Sequence, residues 1–407
     1  MQIKPILSAL RRHKAGTVLI MLQIALTLAI VSNALFIIQQ SVTQLSRPTG
    51  ITESQILRIN NQFVTGIGAN DGALIQSDLD TLRRVPGVVD AYATNSLPLS
   101  SGWIVMGINL KPNQPNPMAN AAFYFADPHT VPTLGLQLVA GRNFRSSEIS
   151  DLKANDPFKA PVVIITKSLA DKLFPHGSAL GHVLYIGSAT STVVGIVKRL
   201  EGPRVVAAVG IKNADSVLTP LRSISNRVTY VLRVRPGQLG AVEKAAPTAL
   251  FASNRLRVIP DDKGVQSFSQ IRSEAYASVR GTAWLMGIIA LVLLGVTAAG
   301  IVGLSSFWVS QRHQQIGIRR ALGATSGDIL SYFLTENFLI ALVGVVLGTV
   351  LALGLNAWMM QHFEMHRLSP LYVGIGVTVL LLLGQAAVLA PALRASRVPP
   401  VTATRTI

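Results

Sequence analysis

The sequence predicts a membrane α-helical fold: four transmembrane helices plus one α+β domain on the outer side of the membrane. Three observations predict it. Hydrophobic residues make up 49% of the chain and charged residues only 14%, where soluble domains carry about 25% charged residues; the mean hydropathy of +0.44 agrees. Four uncharged stretches reach the roughly 20 residues that cross a hydrocarbon core. Lys and Arg collect beside those stretches in a pattern that assigns each end to one side of the membrane.

The spans read Gly16–Ile38, Gly281–Val309, Asn337–Met360 and Leu371–Leu393. The apolar run of the first is longer than the roughly 7–15 residues of a leader peptide's core, so it reads as a span and not as a cleaved signal. The N-terminal segment 1–15 carries Lys4, Arg11, Arg12 and Lys14; the connection 310–336 carries Arg312, Arg319 and Arg320; the tail 394–407 carries Arg394, Arg397 and Arg405. Positive residues stay inside. Both termini and the 310–336 connection are therefore expected in the cytoplasm, with residues 41–280 and the short loop 361–370 outside a bacterial inner membrane. The same distribution explains a net charge of +17 without a nucleic-acid partner. Residues 41–280 are themselves basic, 25 Lys and Arg against 16 Asp and Glu, which suits anionic lipid or an acidic partner.

Small residues recur at intervals of four in two spans: Gly295, Ala299 and Gly303 in the second, Gly344, Gly348 and Ala352 in the third. Each set forms a stripe on one helix face where another backbone can approach closely. Packing within the chain and pairing with a second copy fit the stripes equally well. Gln23, Thr27 and Gln385 are expected to bond to neighbouring helices and not to line a pore.

The outer domain alternates strand-like and helix-like pieces. Gln55–Phe63 is β-like, Ala73–Arg84 helical with Leu74, Leu79 and Leu82 apolar, and Val88–Asn95 β-like after the break at Pro86-Gly87. A second set follows: Arg227–Arg235, Leu239–Ala252 and Arg255–Ile259. Two such β-α-β halves make one ferredoxin-like sheet backed by helices. The residues between them, punctuated by Gly135, Gly141, Gly181, Gly187 and Gly195, read as an inserted β-rich subdomain. A linker helix Ser267–Arg280 leads to the second span.

The chain carries no cysteine, which excludes disulfides, thiolate metal sites and a cysteine nucleophile. Lys167-Ser168 follows Thr166 where a phosphate-cradling loop needs glycine, and Gly66-Ile-Gly68 runs on to Asp71, so neither nucleotide motif is met. There is no G-x-S-x-G elbow. His362 and His366 have metal-capable spacing, but Phe363 stands where a zinc protease needs glutamate. No catalytic, cofactor-binding or metal-binding residue is expected, and any energy for work must come from another chain.

The segment 311–336 reads as a short basic helix ending near Gly323 and a second helix beginning at Thr325, where Thr325 and Asp328 form a capping box. Ile318, Ala321 and Leu322 make a small apolar face, with Arg319 and Arg320 turned toward headgroups or a partner. On composition alone, a basic loop that only fixes topology explains the segment as well.

The run Ile316-Gly-Ile-Arg-Arg-Ala-Leu-Gly-Ala324, with Asp328-Ile-Leu and Phe333-Leu-Thr-Glu336, resembles the cytoplasmic signature of MacB/FtsX-type ABC transporter permeases. The start Ala9-Leu-Arg-Arg-His-Lys14 and the ending Pro391-Ala-Leu-Arg-Ala-Ser-Arg-Val-Pro-Pro-Val401 are similar to that family too. In the outer domain Gly141-Arg-Asn-Phe144, Val162–Phe174 and Val193–Val197 resemble its MacB-like periplasmic core domain. The resemblance implies a dimeric permease subunit of an ABC exporter, without cofactor of its own, whose ATP is bound by a separate ATPase. It implies that Gln315, Ile316, Gly317, Ile318, Arg319, Arg320, Ala321, Leu322 and Gly323 couple to that ATPase. It also implies mechanotransmission to the periplasmic domain and, in the exporting branch, an adaptor and an outer-membrane channel. Gln315 stands where relatives often have Glu. Lipoprotein release and FtsX-like control of cell-wall hydrolases are the alternatives inside the family; a non-transporting membrane receptor or scaffold is the alternative outside it.

Overall fold

The computed structural model describes residues 14–64, 71–100, 104–112, 114–153, 156–203, 205, 214–363 and 367–397. Most of the N-terminal segment, Gly66 and Gly68, His366 and the tail from 398 lie outside the described residues. The chain divides into two compact units, one of residues Met1–Leu45 with Val279–Ile407, the other of Ser46–Ser278.

Helix α1 (Lys14–Leu45) opens the chain. In the second unit, β1 (Ile56–Phe63), α2 (Asp71–Arg84) and β2 (Val88–Thr94) form the first β-α-β half. The other half, β12 (Arg227–Val234), α5 (Leu239–Ser253) and β13 (Arg257–Val258), comes more than a hundred residues later. The sheet order is β13-β1-β12-β2, all antiparallel, which is the ferredoxin-like order. One face is covered by both helices: Ile75, Leu79 and Leu82 from α2 and Val242, Ala246 and Leu250 from α5 recur at helical spacing and meet Leu57, Ile59, Tyr230 and Leu232. Inside this core Arg257 forms two 2.8 Å bonds to Asp78, and the Tyr230 hydroxyl donates to the same carboxylate at 2.6 Å. Both charges are buried, so each depends on the other for solvation.

The insertion is a barrel. Its strands are β3 (Ile104–Asn109), β4 (Ala119–Phe125), β5 (Leu138–Gly141), β7 (Val162–Thr166), β8 (Val183–Ile186), β9 (Ala189–Val197) and β10 (Ser216–Thr219). They pair in the order β9-β7-β10-β4-β3-β8 and return to β9, with β5 extending β9. Closure removes free edges. Alternate residues fill the interior, as Ala119, Ala121, Phe123 and Phe125 of β4 do. Helix α4 (Lys167–Leu173) leaves β7 directly and adds Leu169, Ala170 and Leu173 to the same core. Helix α3 (Thr130–Leu134) precedes β5 and ends at Gly135, and β6 (Ser150–Lys153) pairs with β11 (Leu221–Ile224). The Gly-Arg-Asn-Phe segment is a corner. Gly141 has φ +79°, and a Cβ there would sit 2.2 Å from the Val194 carbonyl oxygen. Arg142 bonds Glu148 at 2.9 and 2.5 Å and holds that carboxyl below its usual range.

After β14 (Val265–Ser267) the chain enters α6 (Phe268–Ala275), capped by Ser267 and Gln270. The single linker helix expected over Ser267–Arg280 is instead two: α6 stops at Tyr276, and α7 (Ala277–Gln311) begins beyond it.

The membrane unit holds α1, α7, α9 (Ser326–Phe363) and α10 (Pro370–Ser396), each long and apolar enough to cross a membrane. The helices run several residues past the spans read from hydropathy, because backbone bonding continues where the hydrocarbon ends. Of the apolar stretch of α1, 56% is buried, against 17% for α7. Thus α1 is the hub, and α7 keeps most of its surface outward. Ser369 caps α10 with Pro370 in its first turn.

Candidate coupling segment

Only Arg312 separates α7 from a short helix, α8 (His313–Ala321). The expected helix over 315–323 is therefore observed two residues earlier. Its end has a specific cause. Leu322 is the C-cap; the Gly323 amide donates to Arg320 at 3.1 Å and the Ala324 amide to Arg319 at 3.0 Å, which is a Schellman closure. That closure needs a left-handed residue, and Gly323 has φ +96°. The chain then turns into α9 through the capping box: the Thr325 amide donates to Asp328 at 2.9 Å and the Asp328 amide to Thr325 at 3.2 Å. Ser326 Oγ donates to the Ser396 carbonyl at 3.0 Å, tying the start of α9 to the end of α10.

One face of α8 is anchored. Ile316 and Gly317 are buried, and Ile316 packs in a cluster with Trp308, Ile329, Phe333 and Ala395. Arg312 Nη1 lies 2.9 and 3.1 Å from the two Glu336 oxygens, with side chains 12% and 4% exposed. Arg319 stacks its guanidinium over the Tyr332 ring at 5.0 Å. The other face is bare: Ile318 is 55% and Leu322 83% exposed, and Gln315 and Ala321 are exposed as well. Arg320 is half-buried. The structure thus places residues 315–321 in one short helix, with Leu322 as its cap and Gly323 beyond it, but divides them. Ile316, Gly317 and Gly323 set its position, while Ile318, Ala321 and Leu322 form an outward apolar face. Sequence reading missed the Arg312–Glu336 pair. A lone acid at the head of an apolar span, facing a lone Arg at the end of the preceding one, was the available signal.

The two stripes also separate. A Cβ on Gly344 would stand 3.0 Å from Ile24 and from the Met21 carbonyl, and one on Gly348 2.8 Å from the Ala25 carbonyl. Ala352 is fully buried, and its carbonyl accepts from Asn33 at 3.3 Å. Among the described residues nothing from another helix lies within 4 Å of a Cβ on Gly295 or Gly303, and Ala299 is exposed. Gln23 donates to the Val296 carbonyl at 3.0 Å, and the Thr27 and Thr297 hydroxyls lie 2.7 Å apart. Gln385 Nε2 is buried with no hydrogen-bond partner among the described residues. His362 bonds the Trp358 carbonyl and stacks on its ring. No group of three metal-capable side chains occurs among the described residues.

These features define a class: a multi-pass membrane permease with an α+β domain between its first two membrane helices. A family model described as MacB-like periplasmic core domain matches residues 17–249, and one described as FtsX-like permease C-terminal matches residues 287–400. The first alone spans more than half of the chain, and the chain belongs to the MacB/FtsX-type ABC transporter permeases. It is a multi-pass membrane protein that carries a MacB-like periplasmic core domain. Among curated relatives, the macrolide export ATP-binding/permease protein MacB of Chromobacterium violaceum is 28% identical over 279 residues, covering 66% of this chain and 41% of that protein. The protein of the same name from Shewanella oneidensis is 24% identical over 366 residues, covering 86% and 52%. The chain therefore spans 41% and 52% of the length of these two relatives and matches the permease part of proteins that also bind ATP. The crystal structure of the periplasmic region of MacB from Actinobacillus actinomycetemcomitans matches with 15% identity and a TM-score of 0.34, covering 57% of this chain and 97% of that one.

Proposed function

We propose that the chain is the permease subunit of an ABC-type exporter, and that α8 is where a separate ATPase grips it. The observation that carries the reading is the division of α8 into an anchored and a bare face. Leu322, 83% exposed, stands beside exposed Ile318 and Ala321 and gives this face an apolar surface that a partner can cover. The opposite face is fixed by a buried ion pair and by Ile316, so force on the bare face passes to α7 and α9 without being lost in a hinge. The Lys and Arg bias beside four long apolar helices supports a cytoplasmic α8. ATP is bound by the partner, and this chain needs no cofactor of its own. The relatives' names speak of macrolide export by an ATP-binding/permease protein; from the family resemblance we infer export of substrates from the periplasm by mechanotransmission, with a second permease copy and, where the route continues outward, an adaptor and an outer-membrane channel.

Ala321→Asp tests the contact. It places one charge on the bare face and leaves Arg319 and Arg320 in position. An unpaired charge at a dry interface costs on the order of several kcal/mol. Co-purification of the ATPase and its stimulated turnover should both fall sharply in membranes that hold normal amounts of the variant. If both stay at wild-type values, α8 is not the contact.

A further inference from the structure

The outer domain holds a cavity of about 560 Å³ that belongs to none of the features above. Its floor is the sheet face that α2 and α5 leave uncovered. Register decides which side chains reach it. Thr94, Thr229 and Asn60 stand in one cross-strand row on β2, β12 and β1, and Gln62 stands opposite Arg227. Alternation sends their neighbours Ile59 and Tyr230 into the helix-covered core. Part of the wall is supplied by Arg222 and Ser223 of β11. The volume is that of a small-molecule site, about 300–1,000 Å³.

Charge selects the ligand. Among the described residues no Asp or Glu lines the cavity. Arg222 is already paired, with Nε 3.1 Å from Asp151. Arg227 is exposed, and no hydrogen bond or ion pair engages its guanidinium among the described residues. The uncharged wall is held in place: Thr229 donates to Asn60 at 3.2 Å, Asn60 donates to the Lys263 carbonyl at 3.0 Å, and Asn95 is bonded to the backbone at both Phe123 and Phe125. A fixed amide and hydroxyl wall beside a free guanidinium is organised for a polar ligand bearing a planar or tetrahedral anion. A cationic ligand would find no counter-charge among the described lining residues.

We propose that this cavity binds a small polar anion, a hydroxylated molecule bearing a carboxylate or a phosphate, with Arg227 holding the anionic group. The assay needs no ATPase, so its failure leaves the coupling reading standing. Binding to the full chain in detergent is followed by titration calorimetry with glucuronate, glucose 6-phosphate and, as the uncharged control, glucose. One of the anions should bind with one site per chain, and glucose should not; the anion that binds separates a carboxylate ligand from a phosphate one. Arg227→Ala should weaken binding about tenfold or more, the worth of one charge-assisted fork, and Arg227→Lys should restore part of it. Arg227 opens its strand at the surface, so thermal unfolding should be unchanged. Arg235→Ala, an exposed arginine outside the cavity, should leave binding intact. The proposal is overturned if neither anion binds at about 10 mM, if Arg227→Ala binds as the wild type does, or if Arg235→Ala weakens binding as much as Arg227→Ala.

Discussion

Two helices of the bundle carry the same written pattern and meet opposite fates. On α9, Gly344, Gly348 and Ala352 are closed over by α1, whose backbone at Met21 and Ala25 comes within 3.0 and 2.8 Å of where side chains would begin. On α7, among the described residues, Gly295 and Gly303 have nothing from another helix within 4 Å, and Ala299 is exposed. The inward face of α7 lies elsewhere, at Gly300, Thr297 and Ile301, where Gln23 rests 2.6 Å from a Cβ placed on Gly300. Four-residue spacing states that a helix face is smooth; it does not state what covers that face. The open stripe suits the pairing of two permease copies, and the closed one is needed inside a single chain.

The largest effect expected follows from the closed stripe. Replacing both Gly344 and Gly348 with Leu drives side chains into the backbone of α1, which has no rotamer to yield. The bundle must open by the width of a side chain and lose its packing at the hub. Membrane levels of the double variant should collapse, and unfolding in mild detergent should occur at far lower temperature. A variant of normal abundance and stability would show that α1 does not lie on this stripe.

Next comes the anchor of α8. Arg312→Ala takes the guanidinium from buried Glu336, and loss of one member of a buried pair costs about 3–5 kcal/mol. The double variant Arg312→Met with Glu336→Leu removes both charges and should recover most of that stability. If the two substitutions are simply additive, the pair is not the anchor. Coupling to the ATPase should stay impaired even in the stable double variant, because the joint between α7 and α9 has then lost its buried ion pair.

Local pattern made the spans legible, because about 20 uncharged residues have few soluble uses. It made the ferredoxin-like half legible too, through its two β-α-β alternations and the Pro86-Gly87 break. The barrel's closure was not legible. Its strands are short, and β7 with β9 and β4 with β10 pair in parallel across long loops, so no hairpin signal marks them. The Asp78–Arg257 pair was hidden because a charge on an amphipathic helix reads as a surface charge until the strand that meets it is known. In the coupling segment, residue types were readable and boundaries were not. Glycine at 323 marked the end, but the helix stops at Ala321 because the Schellman closure takes Leu322 as its cap. The division of the nine candidate residues into anchored and bare faces depends on Ile316 reaching Trp308 and Phe333, a tertiary fact.

A smaller effect tests that ending. Gly323→Ala forces a residue with a Cβ to keep φ near +96°, at a cost of about 1–2 kcal/mol. The bundle should remain folded, but α8 should fray from its C-terminal end. ATPase stimulation should fall more than the thermal midpoint does; a fall of the midpoint alone would make Gly323 a purely structural residue.

The smallest effect on the chain itself is expected at the open stripe. Gly295→Leu with Gly303→Leu adds two side chains where, among the described residues, no other helix stands within 4 Å of the Cβ. Leucine also favours the helix over glycine by somewhat less than about 1 kcal/mol per site. Insertion, abundance and thermal unfolding of the single chain should therefore be unchanged or slightly improved. That sets it apart from the Gly344 and Gly348 variant, which adds side chains of the same size to the closed stripe. What should change is pairing. If a second copy packs on this stripe, added leucines hold the two backbones apart. Crosslinking between cysteines placed at Ala299 in two copies should then drop, and with it ATPase stimulation. If crosslinking is equally strong with and without the leucines, the stripe faces lipid, and the copies meet on another face of the bundle.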